Sequence, residues 1–508
     1  MLKNSFAPLL QGLFDFVVGN PPWINWESLP ESYREVSKKL WSETGLIPKG
    51  KATALGRLKR DLAMLFVAVS ANRYLKDKGK LGMLVPFTLF KVTAGDGFRK
   101  VITGYHVSRI YDLVEVKPFE GATTRTALLL LERGGKTVFP IPAKMWRPKE
   151  PVKQNWVLQK VIDSCDTFEL SWFASESNKV GSPWLMLSQP AYTALLKAIG
   201  GSPYEAHAGV YTGLNGAYWV EILGERDSEL LIRNLNEIGK IKVPKVESWV
   251  EKKLVFPMAR GRDLKRWIAN PSIRIILPVD SKGKTLDLHS FKTGFPKGYL
   301  YFQQLRNKLL SRNGEPYKTK FKSKQSDDSF PFYSLFNVGS SLFTYKVAWQ
   351  YISGRVSGKG QLVVSMISPQ SKPIIPNEKV MFIPCKKKDE AFFLLGCLNS
   401  SIAKLIVASY AVETHIAPDI MKRIGLPVFN ANNELHVAIS QQAEQIFELV
   451  KRDESNENEV IEKEKDLDLD VSSLFGITDV ELVTIQKDLA LLMNSKSDYE
   501  DDTQELDE

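Results

Sequence analysis

Two kinds of stretch alternate along the first part of the chain. Some are apolar runs long enough for one strand, and the segments between them place apolar residues at helical spacing. Because the runs are mostly apolar and do not alternate with polar residues, they are typical of a sheet that is covered on both faces. The pattern predicts an α/β domain over residues 1–140. The predicted strands are FDFVVG (14–19), KLGMLVPF (80–87), RIYDLVEV (109–116) and TRTALLLLER (124–133), and the predicted helices are RLKRDLAMLFVAVSANRYL (57–75) and GFRKVITGY (97–105).

The rest of the chain has a different pattern. Residues 141–450 are irregular, rich in aromatic and basic side chains, and interrupted by glycine turns such as GVYTGLNGAYW (209–219). A mixed α/β domain with short strands of unreadable order is predicted there. Residues 451–508 form an acidic tail, in which one amphipathic helix is predicted over DVELVTIQKDLALLM (479–493) and disorder over SDYEDDTQELDE (497–508).

The composition is that of an ordinary globular protein, with 44% hydrophobic and 25% charged residues. A chain of 508 residues is expected to divide into two or three domains. No apolar run reaches the roughly 18 residues of a membrane span, and the start lacks the pattern of a signal peptide, which predicts a cytoplasmic protein. Three scattered cysteines and five histidines without ligand spacing predict neither a disulfide framework nor a metal site.

Charge divides the chain into a basic body and an acidic tail. Residues 1–450 carry 62 Lys and Arg against 39 Asp and Glu, a net charge of +23. Residues 451–508 carry 6 against 19, a net charge of −13. A positive excess on a folded body is typical of proteins that bind a polyanion, and a surface tuned for solubility is the alternative.

The first predicted strand ends in an unusual turn, Asn20-Pro21-Pro22-Trp23. The two prolines end both the strand and its hydrogen-bond ladder, at the strand end where open α/β sheets bind their ligands. The Asn20 amide and the backbone carbonyl fixed by the prolines can accept hydrogen bonds, and Trp23 offers a flat face. This set suits a planar ring that carries an exocyclic amino group. A proline-rich cap with a core tryptophan is the alternative.

The order strand, Gly, Asn, Pro, Pro, aromatic resembles the catalytic signature of adenine-specific amino-methyltransferases that use S-adenosylmethionine. Asp61 to Phe66 and the following LKDKGKLGMLVPFTLF resemble the next helix and strand of that family. EVKPFEGATTRTALLLLE resembles its late motif, in which an aromatic residue, here Phe119, packs against the target base. Later segments resemble the target-recognition region of the branch with fused restriction-modification enzymes and phage-defence methylases. They are HAGVYTGLNGAYWV, ARGRDLKRW, YFQQLRNKLLSR and LLGCLNSSIAKLIVASY.

The resemblance implies a site-specific DNA methyltransferase that acts on the N6 amino group of adenine. A base inside a duplex cannot reach such a site, so these enzymes extrude it, which costs a few kcal/mol, into a pocket lined by aromatic faces. Trp23 and Phe119 would form that pocket. Asn20 and Pro21 would accept the two amino hydrogens, and Pro22 would complete the rigid turn.

One part of the family pattern has no counterpart in the sequence. The family builds its S-adenosylmethionine site upstream of the signature, from a Gly-rich turn and an acidic residue, and only 13 residues precede FDFVVG here. The expected fold is therefore the C-terminal half of a Rossmann-like methyltransferase sheet. Asp61 is the one candidate cofactor contact, and a role at the helix dipole is its alternative.

An incomplete sheet would leave FDFVVG, which is central in the family, with an open edge that can template aggregation. Three explanations are considered. A separate polypeptide could carry the cofactor-binding half, a helix from MLKNSFAPLLQGLF could mask the edge, or the chain could be a truncated remnant that folds poorly. The first makes the protein one subunit of a split enzyme.

Double-stranded DNA is the expected partner of the second region. Forked guanidinium donors beside an aromatic residue in ARGRDLKRW suit phosphate and guanine contacts, and a solvated turn is the alternative. Lysines alternate along KTKFKSK, so they would share one face of a strand or lie on a mobile loop. Tyr211, Asn215 and Tyr218 in the glycine turn would read bases or shape the loop. The candidates are Arg260, Arg262, Lys265, Arg266, Lys318, Lys320, Lys322, Tyr211 and Asn215.

Three functions stay open at this point. The chain is a component of an adenine-specific DNA methyltransferase in a restriction-modification or phage-defence system, or a DNA-recognition subunit or remnant without working chemistry. An RNA or protein amino-methyltransferase is the third, because the same signature acts on other planar amino groups. No nuclease signature is found.

Overall fold

A computed structural model of the protein describes residues 12–47, 60–119, 125–153, 155–176, 179–312, 314, 317–321, 329–352, 362–369, 372–410, 416–452 and 457–493. The masking helix considered for MLKNSFAPLLQGLF lies almost entirely outside these residues, and so does the predicted disordered end, SDYEDDTQELDE.

A seven-stranded mixed sheet is built from the first part of the chain. Its strands are β1 (Phe14–Gly19), β2 (Leu75–Pro86), β3 (His106–Asp112), β4 (Thr126–Glu132), β5 (Ile141–Pro148), β6 (Cys165–Ala174) and β7 (Trp184–Leu187), in the spatial order β1-β2-β4-β3-β5-β6-β7. β1 is parallel to β2, β3 is parallel to β5, and β4 runs antiparallel to both β2 and β3. The carboxyl ends of β1, β2, β3 and β5 therefore lie along one edge of the sheet.

The four strands and two helices predicted before residue 140 are all present. The helices of this part are α1 (Glu31–Glu43), α2 (Leu62–Arg73), α3 (Asp96–Ile102), α4 (Leu158–Asp163) and α5 (Gln189–Leu195). The sheet continues through β5, β6 and β7, so residue 140, where the sequence predicted a domain boundary, falls inside one sheet. Its continuation is held by large buried side chains such as Trp172 and Trp184, which are fully buried.

Two further sheets occupy the middle of the chain. Their strands are β8 (His207–Ala208), β9 (Trp219–Arg226), β10 (Glu229–Asn234), β11 (Glu247–Glu251), β12 (Val255–Ala259), β13 (Trp267–Ile268), β14 (Ile273–Ile276), β15 (Tyr345–Gln350), β16 (Val364–Ile367), β17 (Ile375–Pro376) and β18 (Val380–Cys385). The second sheet has the order β11-β10-β9-β14-β12-β17, and the third has the order β13-β16-β15-β18-β8. The helices between them are α6 (Asn215–Tyr218), α7 (Leu288–Gly294), α8 (Pro296–Gln304), α9 (Arg306–Leu310) and α10 (Tyr317–Phe321).

The third sheet separates two hydrophobic cores. Successive side chains of a strand point to opposite faces. On β15, Val347 and Trp349 join one core, while Ala348 joins the other. The first core continues to the seven-stranded sheet, and the second belongs to the six-stranded sheet. The chain is thus a mixed α/β protein, as the sequence predicted, with several mixed sheets.

The last part of the chain forms helices that fill the first core. They are α11 (Lys388–Asn399), α12 (Ser401–Tyr410), α13 (Glu434–Arg452), α14 (Glu457–Leu474) and α15 (Asp479–Met493). Helix α11 packs against the third sheet, whereas α12 packs against β7 of the first sheet. Residues 479–493, where the sequence predicted a helix, form α15, and the acidic stretch before them forms a second helix, α14. Both pack into the core through apolar side chains such as Leu467 and Ile485.

Among the residues described, no single helix is long and apolar enough to cross a membrane. Helices α11 and α12 pass that test only as a pair, which bends by 62°. Most side chains of both helices are buried inside the protein.

Candidate active site

The Asn-Pro-Pro-Trp turn lies where β1 ends, on the edge of the sheet that holds the carboxyl ends of four strands. Gly19 ends the strand, and a Cβ added there would lie 3.3 Å from Met83 Sδ on the neighbouring strand. Pro21 is buried, whereas Asn20 is exposed. The turn is therefore anchored through its first proline and presents the Asn20 side chain to the outside.

Trp23 and Phe119 meet although 96 positions separate them in the chain. Their ring centroids are 5.8 Å apart, and the ring planes are nearly perpendicular, at 86°. Both side chains are half-buried, unlike the buried Trp26 and Trp41 that follow in sequence. Trp23 is thus not a core tryptophan. The structure brings together the two aromatic residues that the sequence analysis assigned to one pocket.

The loop after Trp23 is fixed by pairing with the start of α2. Leu62 N donates to Ile24 O at 2.8 Å, and Trp26 N donates to Arg60 O at 2.8 Å. Asp61, which lies between these two contacts, caps α2 by accepting a hydrogen bond from Ala63 N at 2.8 Å. Burial raises the pKa of the Asp61 carboxyl to about 6, against the effect of that hydrogen bond. Asp61 has a structural role as a helix cap, and cofactor contact stays a prediction.

The outer side of β1 is open within the described part of the chain. β1 pairs with β2 on one side and has no strand from these residues on the other. Phe16 and Val18 are 71% and 81% exposed, which is unusual for apolar side chains on a parallel strand. An apolar groove of about 320 Å³ lies between α1 and α2, lined by side chains that include Leu40, Phe66 and Val69.

The four cations of ARGRDLKRW differ in their burial and in their contacts. Arg260 is 9% exposed, and its guanidinium donates to Asp263 Oδ2 at 3.2 Å and to Ser272 Oγ at 2.6 Å, so it holds the turn together. Arg266 Nη1 lies 2.7 Å from a Glu464 carboxylate oxygen of α14. Arg262, Lys265 and Arg266 are all exposed, and Arg262 and Lys265 also have contacts within the protein. DNA contact by any of the four stays a prediction.

The lysine segment is only partly described, whereas the glycine turn is described in full. Lys318 is exposed on the short helix α10, not on a strand, and only the backbone of Lys320 is described. Lys322 lies outside the described residues. In the glycine turn, Tyr211 is half-buried, with its ring centroid 5.5 Å from that of Tyr317.

Asn215, also in the glycine turn, has its amide engaged within the protein. Its Oδ1 accepts from Thr212 Oγ1 at 2.5 Å, and the side chain also contacts the Glu378 carboxyl, whose pKa burial raises. These contacts shape the turn. The sequence offered no signal for Glu378, because its partner lies more than 160 positions away.

Residues 3–119 match the family of Eco57I restriction-modification methylases. The matched range includes the Asn-Pro-Pro-Trp turn and ends at Phe119, so it spans both halves of the site described above.

A relative and a solved structure extend this likeness. The Type II methyltransferase M.BstVI of Geobacillus stearothermophilus is 24% identical over a 321-residue alignment that covers 59% of this chain and 49% of that protein. The chain therefore spans about half the length of this relative. The fold is similar to that of the Type IIL restriction-modification enzyme MmeI in complex with DNA, with a TM-score of 0.54 and 11% identity, over 97% of this chain and 59% of that one. The family match and the relative show a similarity to methylases of restriction-modification systems, and the solved structure shows a similarity of fold.

Proposed function

We propose that the chain forms the acceptor half of a site-specific DNA methyltransferase that acts on the N6 amino group of adenine. The observation that carries the proposal is the pair Trp23 and Phe119. Two half-buried aromatic rings meet beside an exposed Asn20 at the carboxyl edge of an α/β sheet. An extruded base is flat, carries an amino group, and fits a site with stacking faces and fixed acceptors.

In such a site, the free energy gained by stacking the base is comparable to the free energy lost when the base leaves the duplex. Stacking of an extruded base on an aromatic side chain contributes about 1–3 kcal/mol. Extrusion from the duplex costs a few kcal/mol, so two aromatic contacts offset most of it. In the structure the planes of the two rings are nearly perpendicular, at 86°. We therefore expect one ring to turn or move when a base enters.

The side chain of Asn20 and the carbonyl of Pro21 act on the amino group. Each accepts one amino hydrogen, which directs the nitrogen lone pair out of the plane of the ring. The prolines restrict the backbone at the Pro21 carbonyl and next to Asn20 before the base arrives, so orientation supplies most of the rate. No carboxylate base is needed for this step.

S-adenosylmethionine is the proposed methyl donor, and the described residues do not complete a site for it. They provide acceptors and stacking faces for the base, whereas the outer side of β1 is open. We propose that a separate polypeptide docks along β1 and the groove between α1 and α2, and that it carries the cofactor-binding half of a Rossmann-like sheet. Exposed Phe16 and Val18, and the side of β1 that pairs with no strand of the described residues, suit such a partner.

Double-stranded DNA is the proposed substrate, and a basic body supports this. Residues 1–450 carry a net charge of +23. Exposed cations such as Arg262, Lys265 and Lys318 are the proposed phosphate and base contacts. The open edge of β1 favours a second candidate, a DNA-recognition subunit that binds DNA without chemistry of its own.

The test uses the complex purified from its own cells through a tag on this chain. Labelled S-adenosylmethionine and unmethylated DNA are supplied, and the methylated nucleoside is identified by mass spectrometry. Asn20→Ala is expected to lower methyl transfer by about 100-fold or more, because it removes a fixed acceptor at the reacting group. Asn25→Ala is the control, since Asn25 is exposed on the same loop and its side chain caps no helix.

The outcomes separate the candidates. N6-methyladenine that disappears in Asn20→Ala and persists in Asn25→Ala supports the proposal. Methylation of cytosine N4 refutes the adenine specificity. DNA binding by the wild-type complex without methyl transfer supports the recognition subunit instead.

A further inference from the structure

The loop that carries Phe119 is a tight turn at the end of β3. Asp112 Oδ1 accepts from Val114 N at 2.9 Å, an Asx turn that reverses the chain after the strand. Val116 N and Lys117 N then both donate to Leu113 O, at 3.2 and 3.3 Å. Lys117 has a φ of 48°, in the left-handed region that non-glycine residues rarely adopt. The turn therefore has a defined shape that something outside it must hold.

Arg147 contacts this turn from the end of β5. β5 runs parallel to β3, and their last pair is Asp112 with Met145, so Arg147 lies two residues beyond that pair. Its Nε is 3.0 Å from one Glu115 oxygen, and its Nη2 is 3.2 Å from the other. The two side chains are only 12% and 7% exposed. Such a two-pronged ion pair fixes direction as well as distance.

The same guanidinium reaches a third element. Arg147 Nη2 donates to Leu491 O of α15 at 2.6 Å. Helix α15 is fixed to the first part of the chain by other contacts as well. Asp488 Oδ2 accepts from Ser188 N at 2.7 Å, and Glu481 forms an ion pair with Lys197 at 2.7 Å. Arg147 thus lies between a fixed helix and the turn that ends at Phe119.

We propose that Arg147 is a positioning residue for the base pocket. By holding Glu115 against α15, it sets the turn at residues 113–119 and hence the place of the Phe119 ring opposite Trp23. The inference rests on the proposed function, because it assigns Phe119 to the pocket of an extruded base. It also gives the acidic C-terminal segment a role in the site, since α15 supplies the backbone acceptor.

The first experiment is independent of catalysis. Hydrogen exchange is measured on the free wild-type chain and on Arg147→Gln. This variant keeps a polar side chain but loses the positive charge and the paired N–H donors of the guanidinium. Amides in peptides that span residues 113–119 are expected to exchange about tenfold faster in the variant, because local opening of the turn becomes easier. Exchange in α2 and β2 is expected to stay unchanged. Arg109→Gln is the control, since its ion pair with Glu169 is long, at 3.4 Å, and exposed.

The second experiment measures steady-state methyl transfer by the purified complex. Arg147→Gln is expected to lower kcat/KM for DNA by about 10- to 100-fold, the loss typical of a misplaced binding group. The KM for S-adenosylmethionine is expected to stay unchanged, and Arg147→Lys is expected to lie between the wild type and Arg147→Gln, because it keeps the charge without the fork. A residue that only stabilises the fold would not separate the two substrates in this way.

The outcomes are distinct. Faster exchange confined to residues 113–119 supports the proposal, even where the wild-type complex transfers no methyl group and the proposed function fails. Unchanged exchange in the turn overturns it, and so does an equal rise across α2 and β2, which would mark Arg147 as a general stabiliser. If Arg147→Gln does not fold, the exchange and kinetics of Arg147→Lys decide between the same outcomes.

Discussion

Asp61 lies between the candidate site and α2, and its ionisation should be visible in stability. Burial raises the pKa of its carboxyl from 3.8 to about 6 in the folded protein. The folded state therefore binds this proton more tightly than the unfolded state. Its contribution to the free energy of unfolding is most favourable below about pH 4, falls between pH 4 and 6, and is fully lost above that. A shift of about two pKa units corresponds to roughly 3 kcal/mol as an upper limit.

Asp61→Asn removes the charge and keeps the cap, because asparagine caps a helix about as well as aspartate. We expect it to raise the free energy of unfolding at pH 8 by about 1–3 kcal/mol, and to change it little at pH 4, where the native carboxyl is already protonated. Urea unfolding at pH 4, 6 and 8 measures both values. Asp287→Asn is the matched control, since Asp287 caps α7 while exposed, and its hydrogen bonds with Ser290 lower its pKa.

The control is expected to have the opposite sign, with stability lost at pH 8 and not at low pH. Equal effects of Asp61→Asn at pH 4 and pH 8, or destabilisation at pH 8, would refute the reasoning. If Asp61 contacts the cofactor, the variant also binds S-adenosylmethionine more weakly in the complete complex. That binding measurement separates a cap from a cofactor ligand.

Two more predictions concern the docking of the partner on β1 and the turn formed by ARGRDLKRW. Val18→Lys should leave the isolated chain as stable as the wild type, because Val18 is 81% exposed on β1, and it should abolish co-purification of the partner. Ile222→Lys is the control: Ile222 is exposed on β9, so this variant should retain the partner in the same pull-down. Arg260→Met should lower the free energy of unfolding by about 3–5 kcal/mol, since it removes the cation that pairs with the buried Asp263, whereas Arg262→Gln should lower it by less, because Arg262 is exposed, and should weaken DNA binding in a filter assay. An equal loss in the free energy of unfolding for the two variants would contradict the assignment of Arg260 to the structure of the turn and of Arg262 to DNA contact.

The sequence predicted the first four strands because each is a mostly apolar run of strand length. It could not order the later strands, since many of them are short and some pair with strands that are far away in the chain. β8 at residue 207 pairs with β18 at residue 382, and nothing local marks that contact. The sequence did not predict helix α14, because seven acidic residues within Glu457–Leu474 outnumber the apolar residues, such as Leu467 and Val471, through which the helix packs.

Part of the candidate site could be predicted from the sequence, and part could not. Asn20 and Trp23 form a contiguous motif that can be recognised in one sequence, and Phe119 followed from a resemblance. Arg147 could not be found, because its importance comes from Glu115, 32 positions away, and Leu491, 344 positions away. Such contacts exist only once β3, β5 and α15 are assembled.

A structure of the complete complex on DNA tests the central claim most directly. It should show an adenine extruded from the duplex, stacked between Trp23 and Phe119, with its amino nitrogen within about 3.2 Å of the Asn20 side-chain oxygen and the Pro21 carbonyl oxygen. A target base that stays in the duplex, or an extruded base bound away from these two rings, would contradict the account.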